Sequence, residues 1–456
     1  MMKSLSIKEI AEAVKSSCDI DEEITEVITN SREAAEGKLF VAIKGDKFDG
    51  HSFIQNALDS GCTAVISEQP MEDNRVIKVD NTKQALVDIA ELYKSKFNVK
   101  TVGVTGSVGK TTTKDFIACV IDSKYKTLKS LGNENNEIGL PRTVFKLDDS
   151  YESAVFEMGM SNFGEISQLT KAVKPDVGVI TNIGVCHIEF LKSRENILKA
   201  KMEICDGMEE GSPLIICGDD DLLGKVTSDK FKVIKYGIHN EENDVWGFDI
   251  NEGENTTTFK VKVEEEVYRS EIPTIGIHNV LNALAAIAVG REFGIQIEES
   301  IVALKSYEPS GMRQRINTVN GITVIEDCYN ASPTSVKAAM ETFGRMNCEG
   351  RKIAVLGDML ELGEISKEAH REIGDILSQN DISEAFTYGE EMRNCTARAY
   401  ELGVQSFNYD TREELLTELL SEVEIGDAIW VKGSHGMQLE KVIEGIYEAL
   451  EKQTEM

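Results

Sequence analysis

The residues best suited to chemistry form one glycine-rich stretch at positions 106–112, with the sequence Gly-Ser-Val-Gly-Lys-Thr-Thr. Successive backbone N–H groups in such a turn, followed by a helix N-terminus, can bind phosphate. Lys110 can reach the β- and γ-phosphates of a nucleotide, and the hydroxyl of Thr111 can hold Mg²⁺. Val104 stands where the strict pattern has glycine, so the stretch is a Gly-x-x-Gly-Lys-Thr variant. We favour a nucleotide site over a chance glycine turn, although the loop alone does not indicate which reaction follows.

Two further side chains that can bind a metal lie in or just after predicted strands of the same region. Glu157 interrupts an apolar strand at 154–159, where a carboxylate is costly unless it is paired or bound to a metal. Because a phosphate loop lies in the same sheet, we favour Mg²⁺ ligation over an ion pair. His187 follows the predicted strand at 177–182, and open α/β sheets bind ligands outside the carboxyl ends of their strands. This position favours a ligand role over a structural one.

Two predicted helices carry polar side chains whose roles are more open. Asn279 and Asn282 are three residues apart and share a helix face, and asparagine can pair bidentately with an adenine edge. A capping role would account for Asn279 but not for Asn282. Lys199 and Lys201 lie on the helix predicted at 194–204, where their spacing alone indicates only a charged face.

The N-terminal region offers hydroxyl, guanidinium, ammonium and glycine amide groups, which are the groups that bind a diphosphate. They occur at 30–32, which includes Ser31 and Arg32, and in the loop at 44–51. From these residues alone a solvated polar loop is the favoured interpretation, and a diphosphate site is the alternative.

The elements that must position these residues divide the chain into three α/β domains. Residues 1–97 predict a small N-terminal domain, and residues 98–315 predict a mostly parallel sheet with antiparallel edge strands within 230–275. A Pro/Gly hinge at 307–315 precedes a Rossmann-like domain at 316–456. Polar clusters follow predicted strands of this last domain at 327–333, 357–363 and 432–434. No Gly-x-Gly-x-x-Gly occurs, so we expect no dinucleotide site.

Composition narrows the classes of partner. The formal net charge of −30 over 456 residues argues against a general nucleic-acid or anionic-membrane surface. No stretch approaches about 20 consecutive apolar residues, so we expect no membrane insertion. The nine cysteines are scattered without a Cys-x-x-Cys pair, and the N-terminal segment lacks the apolar core of a signal peptide. We therefore expect a cytoplasmic protein with reduced thiols.

Four motifs in combination resemble the Mur ligase family. They are Thr-Gly-x-x-Gly-Lys-Thr-Thr at 105–112, Asn-Glu-Asn-Asn-Glu-Ile-Gly-Leu-Pro at 133–141, His-Asn-Val-x-Asn-Ala-Leu-Ala-Ala at 278–286 and Asp-x-Tyr-Asn-Ala at 327–331. Within that family, Phe-Asp-Gly-His at 48–51 and Gly-Asp-Met-x-Glu-Leu-Gly at 357–363 resemble the members that add D-alanyl-D-alanine to a UDP-N-acetylmuramoyl-tripeptide. The resemblance covers essentially the whole chain. It implies a UDP-substrate domain, an ATP domain and a C-terminal Rossmann-like domain, in that order.

The resemblance also implies an activity. ATP would phosphorylate the terminal carboxylate of the UDP-muramoyl-tripeptide, and the amine of D-Ala-D-Ala would attack the resulting acyl phosphate. The product would be a peptidoglycan precursor. ATP and Mg²⁺ would be required, and we expect the enzyme to be a monomer.

Individual positions take implied roles from the same resemblance. The implied catalytic residues are Lys110, Glu157, His187 and Lys201, of which Lys201 matches the lysine that the family carbamylates. The implied ATP contacts are Gly106, Ser107, Val108, Gly109, Lys110, Thr111, Thr112, Asn279, Asn282, Arg313 and Asp327. The implied metal ligands are Thr111, Glu157, His187 and Lys201. The implied substrate contacts are Ser31, Arg32, Lys44, Gly45, Asp49, Gly50, His51, Asn135, Asn136, Asp358 and Ser434.

Alternative functions stay open at this point. The chain could be another Mur-type ligase, or a folylpolyglutamate synthetase, which shares the ATP module but is not expected to carry a UDP domain. It could also be a phosphate-loop ATPase that acts as a regulatory or binding module. Such an ATPase would hydrolyse ATP without an amino-acid substrate, and it leaves the polar strand ends of the third domain unexplained.

Overall fold

The computed structural model describes residues 2–45 and 48–454, and three main β-sheets follow one another along this part of the chain. They have four, nine and six strands, and helices pack against them. The expected fold class, a three-part α/β chain, is confirmed. Asp46 and Lys47 of the predicted polar loop lie outside the described residues. Every described helix is too short or too polar to cross a bilayer.

The first sheet is parallel and is buried on both faces. Leu39 and Val41 point into a core shared with the central sheet, whereas Phe40 and Ala42 pack on the opposite side, as the alternation of side chains along a strand requires. Tyr93 joins the first domain to the central one, because its hydroxyl donates to the carbonyl of Leu147 at 2.8 Å.

The first domain contains this sheet and a separate pair of strands. Its elements are β1 (Leu5–Ser6), α1 (Ile7–Ala13), β2 (Glu23–Ile24), β3 (Glu26–Ile28), β4 (Lys38–Val41), α2 (Ile54–Asp59), β5 (Ala64–Ser67), β6 (Val76–Lys78) and α3 (Thr82–Lys94). The sheet has the order β3-β4-β5-β6, and β1 and β2 form the separate pair.

The central sheet supplies the phosphate loop and the strands beside it. Its elements are β7 (Lys100–Thr105), α4 (Lys110–Asp122), β8 (Thr127–Lys129), α5 (Gly139–Val144), β9 (Ser153–Glu157), α6 (Glu165–Val173), β10 (Val177–Ile180), α7 (Ile188–Leu191), α8 (Arg194–Met202), β11 (Pro213–Cys217), β12 (Lys232–Gly237), β13 (Val245–Glu252), β14 (Thr257–Val263), β15 (Glu266–Ile272), α9 (Ile277–Glu292) and α10 (Ile297–Leu304).

The strand order is β15-β14-β13-β12-β11-β10-β7-β9-β8. Strand β7 therefore lies between β9 and β10, and the pairing is parallel from β8 through β13. Because the carboxyl ends of parallel strands meet at one edge, Glu157 and the segment before His187 lie beside the phosphate loop. One expectation was wrong: β12 pairs in parallel with β11, so the antiparallel edge begins only at Val245.

The third sheet has the order β16-β17-β21-β18-β19-β20, and only the β16–β17 pair is antiparallel. Its elements are β16 (Arg315–Val319), β17 (Ile322–Glu326), α11 (Pro333–Arg345), β18 (Lys352–Gly357), α12 (Ser366–Gln379), β19 (Glu384–Tyr388), α13 (Met392–Glu401), β20 (Gln405–Tyr409), α14 (Arg412–Glu422), β21 (Ala428–Lys432) and α15 (Glu440–Thr454).

The third domain packs on the central one at the ligand-binding edge. Val185, which follows β10, packs against the apolar core of the third domain. Arg345 of α11 forms an ion pair with Glu252 of β13. A Cβ placed at Gly184 would lie 3.3 Å from Ser107 Cβ and 3.4 Å from Thr334 Oγ1, so the phosphate loop and the third domain meet there.

Candidate active site

Close neighbours explain both glycines of the phosphate loop. Gly106 follows β7 with a φ of +150°, and a Cβ there would lie 1.8 Å from Thr181 Oγ1. Gly109 precedes α4 with a φ of +82°, and its Cβ would lie 3.1 Å from Asn282 Oδ1. The loop therefore passes between the end of β10 and helix α9, where a side chain on Gly106 has no room and one on Gly109 would be strained.

Asn182 holds the turn of the loop in shape. Its Oδ1 accepts the Val108 N–H at 3.0 Å, its Nδ2 donates to the Val108 carbonyl at 2.9 Å, and its own carbonyl accepts the Ser107 N–H at 3.0 Å. Thr181 Oγ1 donates to the same Val108 carbonyl at 2.6 Å. Sequence reasoning missed both supporting residues, although the polar Thr-Asn pair that ends an apolar strand was a usable signal.

Lys110 begins α4 and folds back over the loop. Its Nζ donates to the carbonyl oxygen of Gly106 at 2.9 Å and to that of Ser107 at 3.3 Å. The ammonium thus lies over a loop of the type whose amides bind phosphate, where it can neutralise phosphate charge. Thr112, two residues further along the helix, is partly buried.

Thr111, Glu157 and Asn135 form one hydrogen-bonded group below the loop. Thr111 Oγ1 donates to Glu157 Oε2 at 2.6 Å, and Asn135 Nδ2 donates to Glu157 Oε1 at 2.9 Å. Glu157 is 2% exposed. Among the described residues no ammonium or guanidinium lies within 4.0 Å of its carboxylate, and the buried Lys114 ammonium interacts with it electrostatically from a greater distance. A buried carboxylate whose hydrogen-bond partners are all neutral is suited to a bound cation.

Lys201 differs sharply from its neighbour Lys199. Lys199 is exposed, as a charged helix face predicts, but Lys201 is only 2% exposed. Burial, and then the nearby Lys110 ammonium, hold the pKa of Lys201 well below its usual range. In the described part of the chain no hydrogen-bond acceptor contacts its Nζ. These surroundings favour a neutral amine next to the phosphate loop.

His187 contacts the third domain. Its Nδ1 lies 2.6 Å from Oε2 of Glu361, in the loop after β18, although the ring N–H is not aligned for a strict hydrogen bond. The side chain of His187 is 24% exposed and that of Glu361 49%. The imidazole lowers the pKa of Glu361, which keeps the carboxylate ionised at neutral pH. Sequence reasoning missed Glu361, because nothing local to 357–363 indicates which residue it meets.

Asn279 and Asn282 are buried together on α9. Asn282 Nδ2 donates to Asn279 Oδ1 at 3.2 Å, and Asn282 Oδ1 accepts the Thr113 hydroxyl at 2.8 Å. Asn279 Nδ2 donates to Gln314 Oε1 of the hinge at 2.7 Å. The helix cap is Gly276, so the capping alternative for Asn279 was wrong. Both amides support the phosphate loop and the hinge in this structure, and an adenine contact would require them to exchange partners.

Arg313 and Asp327 lie where the hinge meets the third domain. The guanidinium of Arg313 stacks on the ring of Tyr329, 3.6 Å from its centroid. Asp327 Oδ2 accepts Lys432 Nζ at 2.8 Å and Trp430 Nε1 at 3.2 Å. Lys432 is 4% exposed, so the strand end of β21 fixes the carboxylate.

The implied substrate contacts of the first domain fall into two groups. Ser31 and Arg32 lie in a 3-10 turn, where Ser31 is partly buried and Arg32 is exposed, and their contact with a substrate stays a prediction. Lys44 forms an isolated antiparallel β-bridge with Asp49, and the Gly45 N–H donates to the Phe48 carbonyl at 2.9 Å.

His51, Asp49 and Gly50 stabilise the backbone around the loop at 44–51. The His51 Nδ1 lies 2.7 Å from Asp49 Oδ1, and its Nε2 accepts the Glu68 N–H at 3.1 Å. Both ring nitrogens therefore have partners within the domain. A Cβ on Gly50 would lie 2.8 Å from the backbone of Ile43, which only glycine permits. Asp49, Gly50 and His51 thus shape the loop, and a direct substrate contact by His51 stays a prediction.

The 133–137 loop joins the first domain to the group formed by Thr111 and Glu157. Lys83 of α3 pairs with Glu137 at 2.9 Å. Asn136 Oδ1 accepts the N–H groups of Ile138 and Gly139, at 3.2 and 2.8 Å, and so begins α5. Of the two asparagines expected to face the substrate, Asn135 reaches Glu157, whereas the side-chain oxygen of Asn136 is used in the turn.

Asp358 and Ser434 both hold the loop at 357–363. Asp358 Oδ1 accepts the Met392 N–H at 2.8 Å and thereby caps α13. Ser434 Oγ accepts the Leu360 N–H at 3.0 Å. Both side chains are nearly buried, with 8% and 4% exposure. Their polar atoms bind neighbouring backbone in this structure, and a contact with the incoming dipeptide stays a prediction.

Comparisons with known proteins cover all three domains. Residues 23–94 match the Mur ligase family catalytic domain, residues 104–290 match the Mur ligase middle domain, and residues 313–435 match the Mur ligase glutamate ligase domain.

Relatives and solved structures align over nearly the whole chain. The UDP-N-acetylmuramoyl-tripeptide–D-alanyl-D-alanine ligase of Bacillus subtilis is 40% identical, over 97% of this chain and 98% of that protein. A MurF crystal structure from Acinetobacter baumannii has a TM-score of 0.89 at 26% identity, covering 98% and 99% of the two chains. MurF ligase from Thermotoga maritima in complex with ADP has a TM-score of 0.85 at 31% identity, covering 94% and 98%. The resemblance inferred from the motifs is thus confirmed, and the chain belongs to the Mur ligase family.

Proposed function

We propose that the chain is an ATP-dependent ligase that joins D-alanyl-D-alanine to UDP-N-acetylmuramoyl-tripeptide. One observation carries the proposal: the full-length similarity, at 40% identity, to the Bacillus subtilis enzyme of that name. The geometry supports an ATP-dependent reaction, because Lys110 and Thr111 lie on a phosphate-binding loop and Glu157 is hydrogen-bonded to that loop's helix. We propose domain boundaries near 97 and 315; the first falls between α3 and β7, and the second coincides with the first residue of β16.

The phosphate loop would bind the phosphates of ATP through its backbone amides. Gly106 and Gly109 leave the loop free of side chains that would block the backbone, and the N-terminus of α4 adds a partial positive charge. Lys110 would release the loop carbonyls and neutralise the transferring phosphoryl group. Such preorganised electrostatic contacts are typically worth a factor of roughly 100 to 1000 in turnover each.

The residues beside the loop fit Mg²⁺. Thr111 Oγ1 and Glu157 Oε2 are oxygen donors 2.6 Å apart, and Mg²⁺ prefers oxygen ligands. Glu157 is buried with neutral partners, so a cation would offset the cost of its charge. His187 would be a further ligand. Bound Mg²⁺ would stabilise the negative charge of the phosphoryl group that is transferred.

Lys201 would be modified by CO₂. A neutral amine attacks CO₂, forms an N–C bond and loses one proton, which converts the side chain into a carbamate carboxylate. The lowered pKa of Lys201 favours the neutral form that reacts. The product would bring a negative charge near Lys110 and would add an oxygen ligand to the metal-binding residues.

The reaction itself would use positioning more than acid–base chemistry. The loop and Lys110 would hold ATP so that the substrate carboxylate attacks the γ-phosphorus, releasing ADP and forming an acyl phosphate. The amine of D-Ala-D-Ala would attack the acyl carbon, and collapse of the tetrahedral intermediate would release phosphate. Packing of the third domain against Ser107 and Gly184 would exclude water from the acyl phosphate.

We further propose that the enzyme acts as a monomer in the cytoplasm. All nine cysteines are described, and all are free thiols, which fits a reducing compartment. One chain carries the loop, Glu157, His187 and Lys201, so a second copy is not needed to complete the site.

A phosphate-release assay with a panel of UDP-muramoyl-peptides tests the proposal. We expect release only when ATP, a UDP-muramoyl-tripeptide and D-Ala-D-Ala are all present, with a ligated product of the summed mass less one water. A panel with lysine and diaminopimelate at the third position shows which tripeptide is used. Release with a folate and glutamate, or with ATP alone at the same rate, would overturn the proposal.

A further inference from the structure

The contact between His187 and Glu361 crosses two domains. His187 follows β10 of the central sheet, and Glu361 belongs to the loop after β18 of the third sheet, yet Nδ1 and Oε2 are 2.6 Å apart. Both residues have left-handed backbone conformations, with φ of 61° and 63°. Non-glycine residues adopt this region at a cost, which the surrounding structure must offset. Two strained turns that bring one carboxylate to one imidazole suggest a specific use.

The Glu361 loop is anchored by the three residues just before it. Asp358 accepts the Met392 N–H at 2.8 Å, the Met359 N–H donates to His370 Nε2 at 3.0 Å, and the Leu360 N–H donates to Ser434 Oγ at 3.0 Å. These anchors come from three different segments of the third domain. The three residues before Glu361 are therefore held in place by the rest of the third domain.

The far side of the loop meets the same turn of the central domain. A Cβ placed on Gly363 would lie 3.2 Å from the side chain of Glu189, two residues after His187. Gly363 has a φ of +55°, which favours glycine. Glu361 and Gly363 thus lie close to the turn at 187–189. The three hydrogen bonds of residues 358–360 fix the position of the Glu361 carboxylate relative to the His187 ring.

When a carboxylate contacts one ring nitrogen of a histidine, the other ring nitrogen is available to bind a metal. Outer carboxylates of this kind orient metal-binding histidines and fix their tautomer, and their removal typically weakens metal binding about 10- to 100-fold. Glu361 lies against Nδ1, and in the described residues no hydrogen bond engages Nε2 of His187.

We propose that Glu361 is a positioning residue that orients His187 for a divalent cation, so that the cation site is complete only when the third domain is packed on the central one. The inference rests on the proposed function, in which His187 is a metal ligand. It assigns to the Gly-Asp-Met-x-Glu-Leu-Gly loop the task of coupling domain packing to metal binding.

Mn²⁺ is the probe, and the full chain with ADP is the sample. Imidazole nitrogen coupling to Mn²⁺ is measured by pulsed electron paramagnetic resonance, and Mn²⁺ affinity by titration. Wild type is compared with Glu361→Ala, Glu361→Gln, His187→Ala and the double variant His187→Ala with Glu361→Ala. Glu364→Ala is the matched control, because Glu364 is an exposed carboxylate of the same loop.

We expect Glu361→Ala to weaken Mn²⁺ binding about 10-fold and to reduce the nitrogen coupling. Glu361→Gln, which keeps an acceptor oxygen, should retain most of the coupling, and Glu364→Ala should match wild type. In the His187→Ala background, Glu361→Ala should have no further effect.

Three results would overturn the inference. They are unchanged coupling in Glu361→Ala, an equal effect of Glu361→Ala with and without His187, and unchanged Mn²⁺ binding in His187→Ala. A purely structural ion pair predicts the first of these. Failure of the proposed function is separate, since it would show as absence of ligated product in wild type whatever the Mn²⁺ data.

Discussion

Thr111 Oγ1 donates a hydrogen bond to Glu157 Oε2 at 2.6 Å, and this buried contact joins the first turn of α4 to the last residue of β9. The two residues are 46 positions apart in sequence: Thr111 lies on the helix that follows β7, and Glu157 ends β9, which pairs in parallel with β7. The strand order brings the hydroxyl that can hold Mg²⁺ against a carboxylate with the same capacity. The phosphate loop and the Glu157 carboxylate therefore form one structural unit.

Glu157→Gln should separate the charge of this residue from its shape. The amide oxygen can still accept the Thr111 hydroxyl, and the amide NH₂ can donate to Asn135 once that side chain turns its oxygen toward it, so the melting temperature should change little. Loss of the negative charge should lower kcat by roughly 100- to 1000-fold, by analogy with the loss of one electrostatic contact. Steady-state phosphate release, with Glu254→Gln as an exposed control, measures this effect. Turnover within a few-fold of wild type would remove Glu157 from the metal site.

Lys201 should depend on CO₂. Depleting CO₂ from wild type should lower turnover, and adding bicarbonate should restore it. With ¹³C-bicarbonate, wild type should show a carbamate carbon resonance that is absent in Lys201→Ala. Acetate should recover part of the activity of that variant, because it supplies the missing carboxylate. Lys199→Ala, a lysine variant on the exposed side of the same helix, should behave as wild type, and full activity of Lys201→Ala would refute the idea.

Much of the fold was predictable because buried parallel strands are short apolar runs. The strands predicted at 154–159 and 177–182 overlap the observed β9 and β10. The phosphate loop was predictable for a different reason, since phosphate binding needs glycine, lysine and threonine at fixed local spacing. Strand β20, with the sequence Gln-Ser-Phe-Asn-Tyr, was missed because an edge strand that is only partly buried lacks an apolar run.

The parts of the site that could not be predicted depend on contacts between distant segments. Glu361 meets His187 across two domains, and nothing in either local sequence specifies that pairing. His51 resembled a ligand residue, but both of its nitrogens have partners within the first domain. Lys199 and Lys201 lie two residues apart on the same predicted helix, and the sequence does not distinguish them. Only the packing of α8 shows that Lys201 is the buried one.

Asp427, which precedes β21 and lies far from the candidate active site, should make the stability of the fold depend on pH in the acid range. Burial alone would raise the pKa of this carboxyl, but hydrogen bonds from Arg351 and from backbone N–H groups outweigh it and lower the pKa. The carboxylate therefore stabilises the fold above about pH 4, and this stabilisation is lost as pH falls through the lower folded pKa.

Asp427→Asn should lower the free energy of unfolding at pH 7 by about 2 kcal/mol, less than for a fully buried pair because Arg351 is 30% exposed. Denaturant melts at pH 7 and pH 3 measure the difference. It should shrink at pH 3, and a difference of the same size at both values would contradict the assignment.

Arg32 should affect one substrate only. It is exposed in the 3-10 turn of the first domain, so Arg32→Ala should leave the fold intact. Loss of a charge-assisted contact to the diphosphate should raise KM for the UDP substrate roughly 10-fold, with KM for D-Ala-D-Ala unchanged. Lys8→Ala, which removes another exposed cation of this domain, is the control. An equal rise in both KM values would contradict a UDP-binding first domain.

The most direct test of the central claim is product formation from three purified substrates. Wild-type enzyme with ATP, UDP-N-acetylmuramoyl-tripeptide and D-Ala-D-Ala should yield one phosphate per ligated product, identified by mass spectrometry. Omission of any substrate should abolish release, and Lys110→Ala should reduce it roughly 100- to 1000-fold. Phosphate release that continues without D-Ala-D-Ala, or that yields no ligated product, would contradict the assignment of this chain as a ligase.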